Sequence, residues 1–493
     1  MDNAGTEFFQ FPAVLFVMRR TKIVATVGPA SDSEETLSAL IEAGVNVFRL
    51  NFSHGTADEQ RQRAFRIREL AAARGCHVAL LGDLQGPKIR LRKLPGDAIE
   101  LKKGQALVLD TALKDGEGDS GHIGVDYEPL ARSVSAGDTL LLDDGRFRLE
   151  VEGVAGSRVN TVSRSAGTLK SRKGINRMGG GLSAPALTAK DLEDVKIVAA
   201  IALDYVAISF PSGAADIEYA RSELDKAGCI AHVIGKVERA EAVADDATLD
   251  ALIEACDGIM VARGDLGVEI GDANLIAYQK HMIKRARQLN RMVITATQMM
   301  ESMISNPLPT RAEVFDVANA VLDGTDAVML SAETAAGQFP VETVEAMAGT
   351  CVGAEQSPSI QRSGHRMDRK FNNVEEAIAM GAMYTANHLE GVKAIIALTE
   401  SGRTPLLMSR ISSGLPIYAV SSHQTTCNRV CLYRGVSPVY LDTSRFAKDE
   451  LVTAVVGHLC GEGLIETGDT VLVSHGDTAG VGGCTNSVKI VTV

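Results

Sequence analysis

Eight short apolar segments, each followed by a helical stretch, restrict the fold of this 493-residue chain more than any other feature of its sequence. Most of them are almost continuously hydrophobic, which is typical of parallel strands that are covered on both faces. Eight strand–helix units at a spacing of about 30 residues predict an α/β fold, a closed (β/α)₈ barrel. An open doubly wound sheet is the alternative. The predicted strands are residues 22–27, 45–51, 77–83, 204–210, 230–236, 257–262, 292–297 and 326–331.

The connection after the third predicted strand is far too long for a loop. About a hundred residues separate Asp83 from the next helical stretch, and a connection of that length is expected to be a domain. Asp144 and Gly145 predict a hairpin turn within it. We therefore predict that residues 86–182 form a small, β-barrel-like insert at the C-terminal rim of the barrel, where it can act as a lid.

The chain changes character at both ends of the predicted barrel. Beyond residue 355 a polar linker precedes alternating strand-like and helical segments, which indicates a compact α/β domain. Near the N-terminus an apolar run ends at Met18, a candidate start, and Arg19 and Arg20 follow it. A signal peptide carries its positive charge before such a run, and a membrane helix needs ~20 apolar residues, so we expect neither. The predicted parts are an extension at 1–17, a catalytic barrel at 18–85 and 183–355, the lid insert at 86–182 and a regulatory domain at 356–493.

Composition excludes several classes of function. The chain has 62 acidic and 50 basic residues, a net charge of −12, which disfavours nucleic-acid binding because phosphate backbones require basic excess. Tryptophan is absent and aromatic residues make up only 4%, so base-stacking surfaces are not expected. The eight cysteines form no CxxC pair and no zinc pattern, which indicates a reducing, cytoplasmic compartment.

The C-terminal ends of the barrel strands, where active sites of such barrels lie, carry charged and hydroxyl residues. Lys236 and Glu238 are two residues apart and share one face of an extended segment. Glu238 and Asp265, from neighbouring strand ends, could bind one Mg²⁺, which typically takes one or two protein carboxylates. The alternative is that Lys236–Glu238 and Arg263–Asp265 are structural ion pairs.

Three further features extend this predicted site. Arg49 near Lys236 gives a cationic pocket for a phosphoryl group or a carboxylate. Gly264, Asp265 and Gly267 predict a small backbone loop whose N–H groups can hold a carboxylate. Thr297, Ser331 and His54 end strands or lie in loops, and each could equally be a helix cap or an ordinary polar loop residue.

These residues resemble those of pyruvate kinases, and the resemblance extends from Thr21 to Val493. Its most specific parts are 49–55 (RLNFSHG), 257–269 (DGIMVARGDLGVE), 296–303 (ATQMMESM) and 326–337 (DAVMLSAETAAG), and 485–493 also fits. The resemblance implies transfer of the phosphoryl group of phosphoenolpyruvate to ADP, giving pyruvate and ATP in the last step of glycolysis. A Mg²⁺-dependent aldolase or carbon–phosphorus mutase, and a non-catalytic metabolite sensor, are the alternatives.

The resemblance also implies roles for individual residues. In phosphoryl transfer, cations around a charge-dense transition state do most of the catalysis, which agrees with such a set. The implied roles are Glu238 and Asp265 for Mg²⁺ or Mn²⁺; Lys236 for the transferring phosphoryl group and the enolate; Arg49 for the phosphate; Ala262, Gly264, Asp265 and Thr297 for the substrate carboxylate; Thr297 and Ser331 for protonation of the enolate; and Asn51, His54, Arg90 and Lys173 for the nucleotide.

The C-terminal domain is expected to bind a phosphorylated effector. A predicted strand runs into Thr399, Ser401, Gly402, Arg403 and Thr404 and then into a helix, and hydroxyls with N–H groups at a helix N-terminus can hold a phosphate. An ordinary capped turn is the alternative. The resemblance implies a sugar phosphate, so we expect that or a nucleoside monophosphate, and it implies a homotetramer.

Monovalent-cation use is predicted from a departure from the family pattern. In potassium-dependent pyruvate kinases the cation is held by residues matching Asn51, Ser53, Asp83 and the carbonyl of Leu84. Those members have a glutamate where this chain has Lys88, whose ammonium can stand near the K⁺ position. We predict that K⁺ is not required. The alternative is that Lys88 points to solvent and that K⁺ occupies the pocket.

Overall fold

The structure, a computed structural model, describes residues 19–182, 184–361, 366, 369–476 and 483–493. The predicted extension and the candidate start Met18 lie outside the described residues. The strands are β1 (Lys22–Val27), β2 (Val47–Asn51), β3 (Ala79–Asp83), β4 (Ala98–Leu101), β5 (Ala106–Asp110), β6 (His122–Gly124), β7 (Thr139–Leu142), β8 (Phe147–Ala155), β9 (Arg158–Ser163), β10 (Gly167–Lys170), β11 (Ile175–Arg177), β12 (Tyr205–Ile208), β13 (His232–Val237), β14 (Gly258–Ala262), β15 (Met292–Ala296), β16 (Ala327–Leu330), β17 (Val392–Leu398), β18 (Ile417–Ser421), β19 (Val436–Tyr440), β20 (Thr470–Gly476) and β21 (Thr485–Thr492).

The helices connect these strands and cover the barrel. None of the helices that the structure describes is long and apolar enough to cross a membrane. They are α1 (Glu34–Glu42), α2 (Ala57–Ala73), α3 (Leu130–Ser133), α4 (Ala189–Ala200), α5 (Ala214–Lys226), α6 (Asp246–Ala255), α7 (Arg263–Ile270), α8 (Asp272–Gln288), α9 (Arg311–Asp323), α10 (Ala332–Ala335), α11 (Pro340–Glu355), α12 (Val374–His388), α13 (Arg403–Ser409), α14 (Gln424–Val430) and α15 (Leu451–Gly461).

Eight parallel strands close the barrel, which confirms the predicted (β/α)₈ fold. Their order around the barrel is β1, β16, β15, β14, β13, β12, β3 and β2. Each strand lies within two residues of its predicted bounds. One of the larger differences is at the end of β12, where Phe210 has a φ of 58° and turns the chain out of the ladder. That left-handed conformation is unfavourable for a bulky residue and could not be predicted from the residue type.

The apolar interior of the barrel continues into the C-terminal domain. Val24, Leu81 and Met260 of the barrel strands belong to the same buried cluster as Leu432 and Leu472 of the C-terminal domain. The contact is made at the amino ends of the strands. The C-terminal domain therefore closes that end of the barrel and leaves the carboxyl ends for a functional site.

Buried charges hold this seam between barrel and C-terminal domain. Asp326, which precedes β16, accepts hydrogen bonds from Arg410 Nη1 at 2.9 Å and from the backbone N–H of Arg434 at 3.0 Å. Lys22 Nζ donates to the carbonyl of Val436 at 2.6 Å. Burial lowers the pKa of Lys22 to about 8.

The long connection between β3 and α4 folds as a β-rich unit. It contains a six-stranded sheet in the order β11, β7, β8, β9, β5 and β6, and a two-stranded sheet of β10 and β4. β7 and β8 are antiparallel, and the predicted turn between them is confirmed by φ values of 54° at Asp144 and 85° at Gly145. Leu107, Leu140 and Leu149 pack in a separate buried cluster of this unit.

The C-terminal sheet has the order β19, β18, β17, β20 and β21, and all its pairs are parallel except that of β20 with β21. The sequence analysis missed β19 and α14. β19 contains Pro438, which weakens a strand prediction, and it is tolerated because β19 lies at the edge of the sheet.

Candidate active site

The guanidinium and ammonium groups of two predicted site residues meet on one buried carboxylate. Arg49 Nε donates to Asp83 Oδ2 at 2.7 Å, and Lys236 Nζ lies 3.4 Å from Asp83 Oδ1. Arg49 Nη1 also donates to the Thr26 hydroxyl at 3.0 Å. Burial raises the pKa of Asp83, but the charges of Arg49 and Lys236 outweigh it and hold that pKa below its usual value. The ends of β1, β2, β3 and β13 thus build one charged pocket.

Lys236 also contacts the second predicted carboxylate. Its Nζ lies 2.9 Å from Glu238 Oε1 and donates to the Ser209 hydroxyl at 2.9 Å. Burial lowers the pKa of Lys236, but Asp83 and Glu238 outweigh this and raise it above its ordinary value. Lys236 is therefore a charged ammonium at neutral pH.

Glu238 and Asp265 form an acidic pair at the adjacent ends of β13 and β14. Burial raises the pKa of Glu238; Lys236 opposes this, and the charge of Asp265 adds to it. The N–H of Phe210 donates to Glu238 Oε2 at 2.8 Å, and Lys88 Nζ lies 3.0 Å from Asp265 Oδ1. Each of the two carboxylates contacts a lysine, and two neighbouring carboxylates are a donor set that a hard divalent cation would bind.

The proposed structural ion pair Arg263–Asp265 does not form. Arg263 Nη1 instead lies 2.7 Å from an oxygen of Asp316, and Arg263 Nε donates to the carbonyl of Thr297 at 3.2 Å. Thr297 and Gln298 both have left-handed backbone conformations, with φ values of 76° and 55°. Arg263 therefore fixes a strained segment at the end of β15, a role that its charge alone did not reveal.

The segment around Gly264 and Gly267 is helical, so the predicted backbone loop was wrong. It forms α7, which begins directly after β14. The glycines allow close packing: a Cβ at Gly264 would lie 2.9 Å from Thr297 Cγ2, and one at Gly267 would lie 2.9 Å from Asp272 Oδ1. The N–H groups available to a carboxylate are thus those of the first turn of a helix, which favours an anion.

Thr297 and Ser331 follow the neighbouring strands β15 and β16, and both are half-buried. The backbone N–H of Ser331 donates to Glu333 Oε2 at 2.7 Å. Ala262 is the last residue of β14 and is buried. The structure therefore brings these predicted residues to the same rim as Lys236.

The predicted nucleotide residues fall into two groups. Asn51, whose Oδ1 accepts from the N–H of Ser53 at 3.0 Å, and the exposed His54 lie on the barrel. Arg90 and Lys173 lie on the insert, where Arg90 Nη1 donates to the carbonyl of Arg172 at 3.1 Å and Lys173 Nζ lies 2.7 Å from Asp143 Oδ1. The insert brings Arg90 beside the Lys173 segment through a bridge to Gly174.

Ser209 is a site residue that the sequence analysis missed. Its hydroxyl accepts from Lys236, lies 3.3 Å from Asp83 Oδ1 and donates to the carbonyl of Leu84 at 2.7 Å. The signal that could have identified it is its position at the end of the fourth predicted barrel strand. The other predicted site residues also lie at strand ends.

The predicted monovalent-cation pocket is partly filled by these contacts. Asp83 is paired with Arg49 and Lys236, and the Leu84 carbonyl accepts from Ser209. Among the ion pairs of the residues that the structure describes, Lys88 pairs with Asp265 and not with Asp83.

The predicted effector loop borders a recess of about 580 Å³ in the C-terminal domain. Thr399, Ser401 and Thr404 line it. The N–H of Gly402 donates to the Thr399 hydroxyl at 2.9 Å, with a φ of 83° at Gly402. Arg403 and Thr404 are both engaged by one carboxylate: Arg403 Nε lies 3.0 Å from Glu375 Oε2, and the Thr404 hydroxyl donates to Glu375 Oε1 at 2.7 Å.

The fold and this set of groups define a class of enzyme: a (β/α)₈ barrel that binds an anionic substrate between cations and carboxylates at the carboxyl ends of its strands. The family described as pyruvate kinase, barrel domain, matches residues 18–344, and the pyruvate kinase alpha/beta domain matches residues 376–491. The chain belongs to the pyruvate kinase family.

Individual relatives agree with this assignment. The chain is 57% identical over 478 residues to pyruvate kinase II of Salmonella typhimurium, covering 97% of this chain and 99% of that one. It is 56% identical to a pyruvate kinase of Haemophilus influenzae, covering 93% and 96%. A crystal structure of a pyruvate kinase from Cryptosporidium parvum superposes with a TM-score of 0.89 at 35% identity and 96% coverage of both chains. The resemblance found in the sequence is confirmed, and the aldolase, mutase and sensor alternatives are not favoured.

Proposed function

We propose that this chain transfers the phosphoryl group of phosphoenolpyruvate to ADP in the last step of glycolysis. An oxygen of the ADP β-phosphate bonds to phosphorus, the bond from phosphorus to the enol oxygen breaks, and the enolate takes up a proton at its methylene carbon to give pyruvate. The observation that carries the proposal is a rim with three cations interleaved with three carboxylates. The cations are Arg49, Lys88 and Lys236, and the carboxylates are Asp83, Glu238 and Asp265.

Lys236 and Arg49 are the proposed catalytic cations. Both contact the buried Asp83 carboxylate, which holds them beside each other. Lys236 also contacts Glu238 and Ser209, and a bound phosphoryl group would take over some of these hydrogen bonds. Placed around the phosphoryl group, they stabilise charge that spreads over its oxygens and onto the enolate in the transition state. Asp83 and Ser209 are positioning residues in this proposal.

Glu238 and Asp265 are the proposed ligands of Mg²⁺ or Mn²⁺. Their closeness supports this, because the negative charge of Asp265 is one of the causes that raise the pKa of Glu238. A divalent cation bound there would neutralise charge on the phosphoryl and carboxylate oxygens of the substrate. Lys88 and Lys236 balance the two carboxylates from the side of the protein.

We propose that the first turn of α7 holds the substrate carboxylate through the backbone at Ala262, Gly264 and Asp265, together with the Thr297 hydroxyl. Thr297 and Ser331, at the ends of adjacent strands, are proposed to lie where the enolate is protonated. The strained backbone at Thr297, held by Arg263, supports a functional placement of that hydroxyl.

The insert at residues 86–182 is proposed to close as a lid over the barrel of residues 18–85 and 183–355. Arg90 and Lys173 on the insert, with Asn51 and His54 on the barrel, would hold the nucleotide between them. Closure would bring the two halves of the nucleotide site together and exclude water from the transferring phosphoryl group.

We propose that K⁺ is not required. The rim already balances three cations with three carboxylates, because Lys88 supplies an ammonium to Asp265. A glutamate at position 88 would remove one cation and add one anion, and a monovalent cation at Asn51, Ser53, Asp83 and Leu84 would then offset half of that change. The alternative is that K⁺ binds there despite Lys88.

The domain at residues 356–493 is proposed to regulate the enzyme by binding a sugar phosphate or a nucleoside monophosphate. The recess beside Thr399, Ser401, Gly402, Arg403 and Thr404 supports this. Since Glu375 now engages Arg403 and Thr404, a phosphate would have to displace that carboxylate. Calorimetry with a panel of such metabolites tests the proposal, which fails if none binds or if Ser401→Asp and Thr404→Asp leave activation unchanged.

A homotetramer is the proposed assembly, and the cytoplasm the proposed compartment. Leu308, Phe315 and Leu322 are exposed, at 75%, 74% and 41%, and their spacing of seven residues places the latter two on one face of α9. A second copy of the chain would cover this apolar face. Burial raises the pKa of the Cys256, Cys351 and Cys431 thiols, which agrees with unreactive cysteines in a reducing compartment.

The decisive experiment measures ATP formation from ADP and phosphoenolpyruvate with and without Mg²⁺. Metal-dependent ATP formation supports the proposed function. A chain that instead cleaves or rearranges a carbon skeleton would support the aldolase or mutase alternative, and one that binds metabolites without turnover would support the sensor.

A further inference from the structure

Two segments lie at the base of the insert, residues 87–90 where the chain leaves the barrel and residues 174–177, which contain β11 and precede its return. They lie side by side as a two-stranded hinge. The N–H of Ile175 donates to the carbonyl of Ile89 at 3.0 Å, and the N–H of Leu91 donates to the carbonyl of Lys173 at 2.8 Å. Any movement of the insert must therefore move both segments together.

Both hinge segments rest on α7, the helix that carries Asp265. From the first segment, Lys88 Nζ lies 3.0 Å from Asp265 Oδ1. From the second, Asn176 Nδ2 donates to Glu269 Oε1 at 3.1 Å, and the N–H of Gly179 donates to the Glu269 carbonyl at 2.9 Å. Asp265 and Glu269 are four residues apart and share one face of the helix. The hinge thus contacts α7 near both of its ends.

The other Glu269 carboxylate oxygen binds the barrel. Its Oε2 accepts from the N–H of Ala240 at 2.8 Å, on the segment that follows Glu238. Glu269 is 6% exposed. Burial raises its pKa to about 7; the Ala240 and Asn176 donors favour the ionised form and Glu241 disfavours it. A carboxylate buried at such a cost, and bonded to both the insert and the barrel, is more than a surface contact.

We propose that Glu269 is a positioning residue that couples the insert to the metal and carboxylate site, so that the position of the lid sets the position of α7. The inference deepens the proposed function and rests on it. When the nucleotide draws the insert onto the barrel, the hinge shifts the Asn176–Glu269 contact, and α7 moves with it. Asp265 and the N–H groups of the first turn then take up the geometry that the substrate requires.

Such coupling must be reciprocal. If ADP binding to the insert improves the affinity of the α7 site for its anion by some factor, that anion must improve the affinity for ADP by the same factor. Oxalate is a suitable probe, because it is a planar dicarboxylate with the shape of the pyruvate enolate and cannot react with ADP. Calorimetry on the full chain with Mg²⁺ gives the oxalate affinity with and without ADP.

We expect ADP to tighten oxalate binding to the wild-type chain by about fivefold or more. Asn176→Ala and Glu269→Gln should reduce this factor to less than about twofold, while the affinity for oxalate alone changes little. Glu241→Gln is the matched control. Glu241 accepts a hydrogen bond from the N–H of Gly181, so it also joins insert and barrel, but it lies outside α7. It should keep the wild-type coupling.

Steady-state kinetics give a second readout on the same chains. Asn176→Ala should raise the KM for phosphoenolpyruvate at saturating ADP more than it lowers kcat, and Glu241→Gln should do neither. Asn176→Ala removes one hydrogen bond between the hinge and Glu269. This variant therefore tests the coupling if Glu269→Gln fails to fold.

The inference is wrong if wild-type coupling is absent, if it survives in Asn176→Ala and Glu269→Gln, or if Glu241→Gln abolishes it equally. These outcomes are separate from failure of the proposed function. If the proposed function is wrong, the wild-type chain forms no ATP at all, whatever its affinities for oxalate and ADP.

Discussion

The two ends of the barrel both bury charges, but they bury them differently. At the amino end, the Arg410 and Asp326 side chains are 1% and 0% exposed, and the carbonyl of Arg291 and the hydroxyl of Ser409 complete the arginine's hydrogen bonds. At the carboxyl end, Lys88 and Asp265 are 24% and 20% exposed, and the partners of each charge are mainly other side chains. The first arrangement is completely buried, whereas the second is partly open to solvent at Lys88 and Asp265.

This difference distinguishes charges that stabilise the fold, at the amino end, from charges that are available to a ligand, at the carboxyl end. A buried pair whose remaining donors are used by neighbouring protein oxygens has no donor left for a ligand, and removing one partner leaves an uncompensated charge. A partly exposed network of side chains can exchange partners when a substrate enters.

The largest effect is expected at the open end. Lys236→Met removes one cation from the transition state and should lower kcat by roughly a thousandfold, about 4 kcal/mol. The fold should persist, because Arg49 still pairs with Asp83. Rates of ATP formation measure kcat, and circular dichroism shows whether the fold persists. Near-normal turnover would remove Lys236 from its proposed role.

At the closed end, Arg410→Met should affect stability and leave chemistry alone. The substitution leaves the buried Asp326 carboxylate without its ion-pair partner and should destabilise the fold by about 3 kcal/mol. Urea unfolding measures this, and kcat should remain close to wild type well below the transition. A double variant, Arg410→Met with Asp326→Leu, should recover part of the loss; if the single variant is as stable as wild type, the seam is not held by this pair.

The pH dependence of the seam gives a smaller effect. The pKa of Lys22 is about 8 in the folded state against 10.5 without the fold, because burial disfavours its charge. The folded chain therefore releases this proton first, and stability should rise with pH between these values. Relative to Lys22→Met, the wild-type chain should gain about 2 kcal/mol between pH 7.5 and pH 10. Parallel pH curves for the two chains would contradict the assignment.

The smallest expected effect tests how the open end balances its charge. Wild-type activity should be unchanged in a buffer whose monovalent cations are all large and organic. Lys88→Glu should lose about tenfold there, ~1.4 kcal/mol, and regain it when K⁺ is added. A wild-type chain that is inactive until K⁺ is supplied would return Asn51, Ser53 and Asp83 to the role of K⁺ ligands.

Much of the architecture could be predicted because its signals are local. Continuous apolar runs predicted the barrel strands, since parallel strands bury both faces. The short helix α7 was missed because its glycines favoured a loop. Their role is seen only in the close approaches of Gly264 to Thr297 and of Gly267 to Asp272. β19 was missed because Pro438 is acceptable only at an edge, a property of the assembled sheet.

The site could be predicted as a set of strand ends but not as a set of contacts. Position along the strands located Lys236, Glu238 and Asp265 at one rim. The sequence could not show that Lys88 pairs with Asp265, because the two are 177 residues apart and meet only through the hinge. Ser209 was missed for a similar reason: a lone serine carries no signal until its three partners are in place.

The continuity of the barrel interior with the C-terminal domain has a consequence for how the chain is made. Synthesis completes all eight barrel strands and α11 before residues 356–493 emerge from the ribosome. At 5–20 residues per second, the remaining segment takes on the order of ten seconds. During that interval the amino end of the nascent barrel is uncovered. Val24, Leu81 and Met260 lie at this opening, which the C-terminal domain later covers with residues that include Leu432 and Leu472. Chaperone contacts with nascent chains stalled at residue 356 should therefore concentrate at that opening.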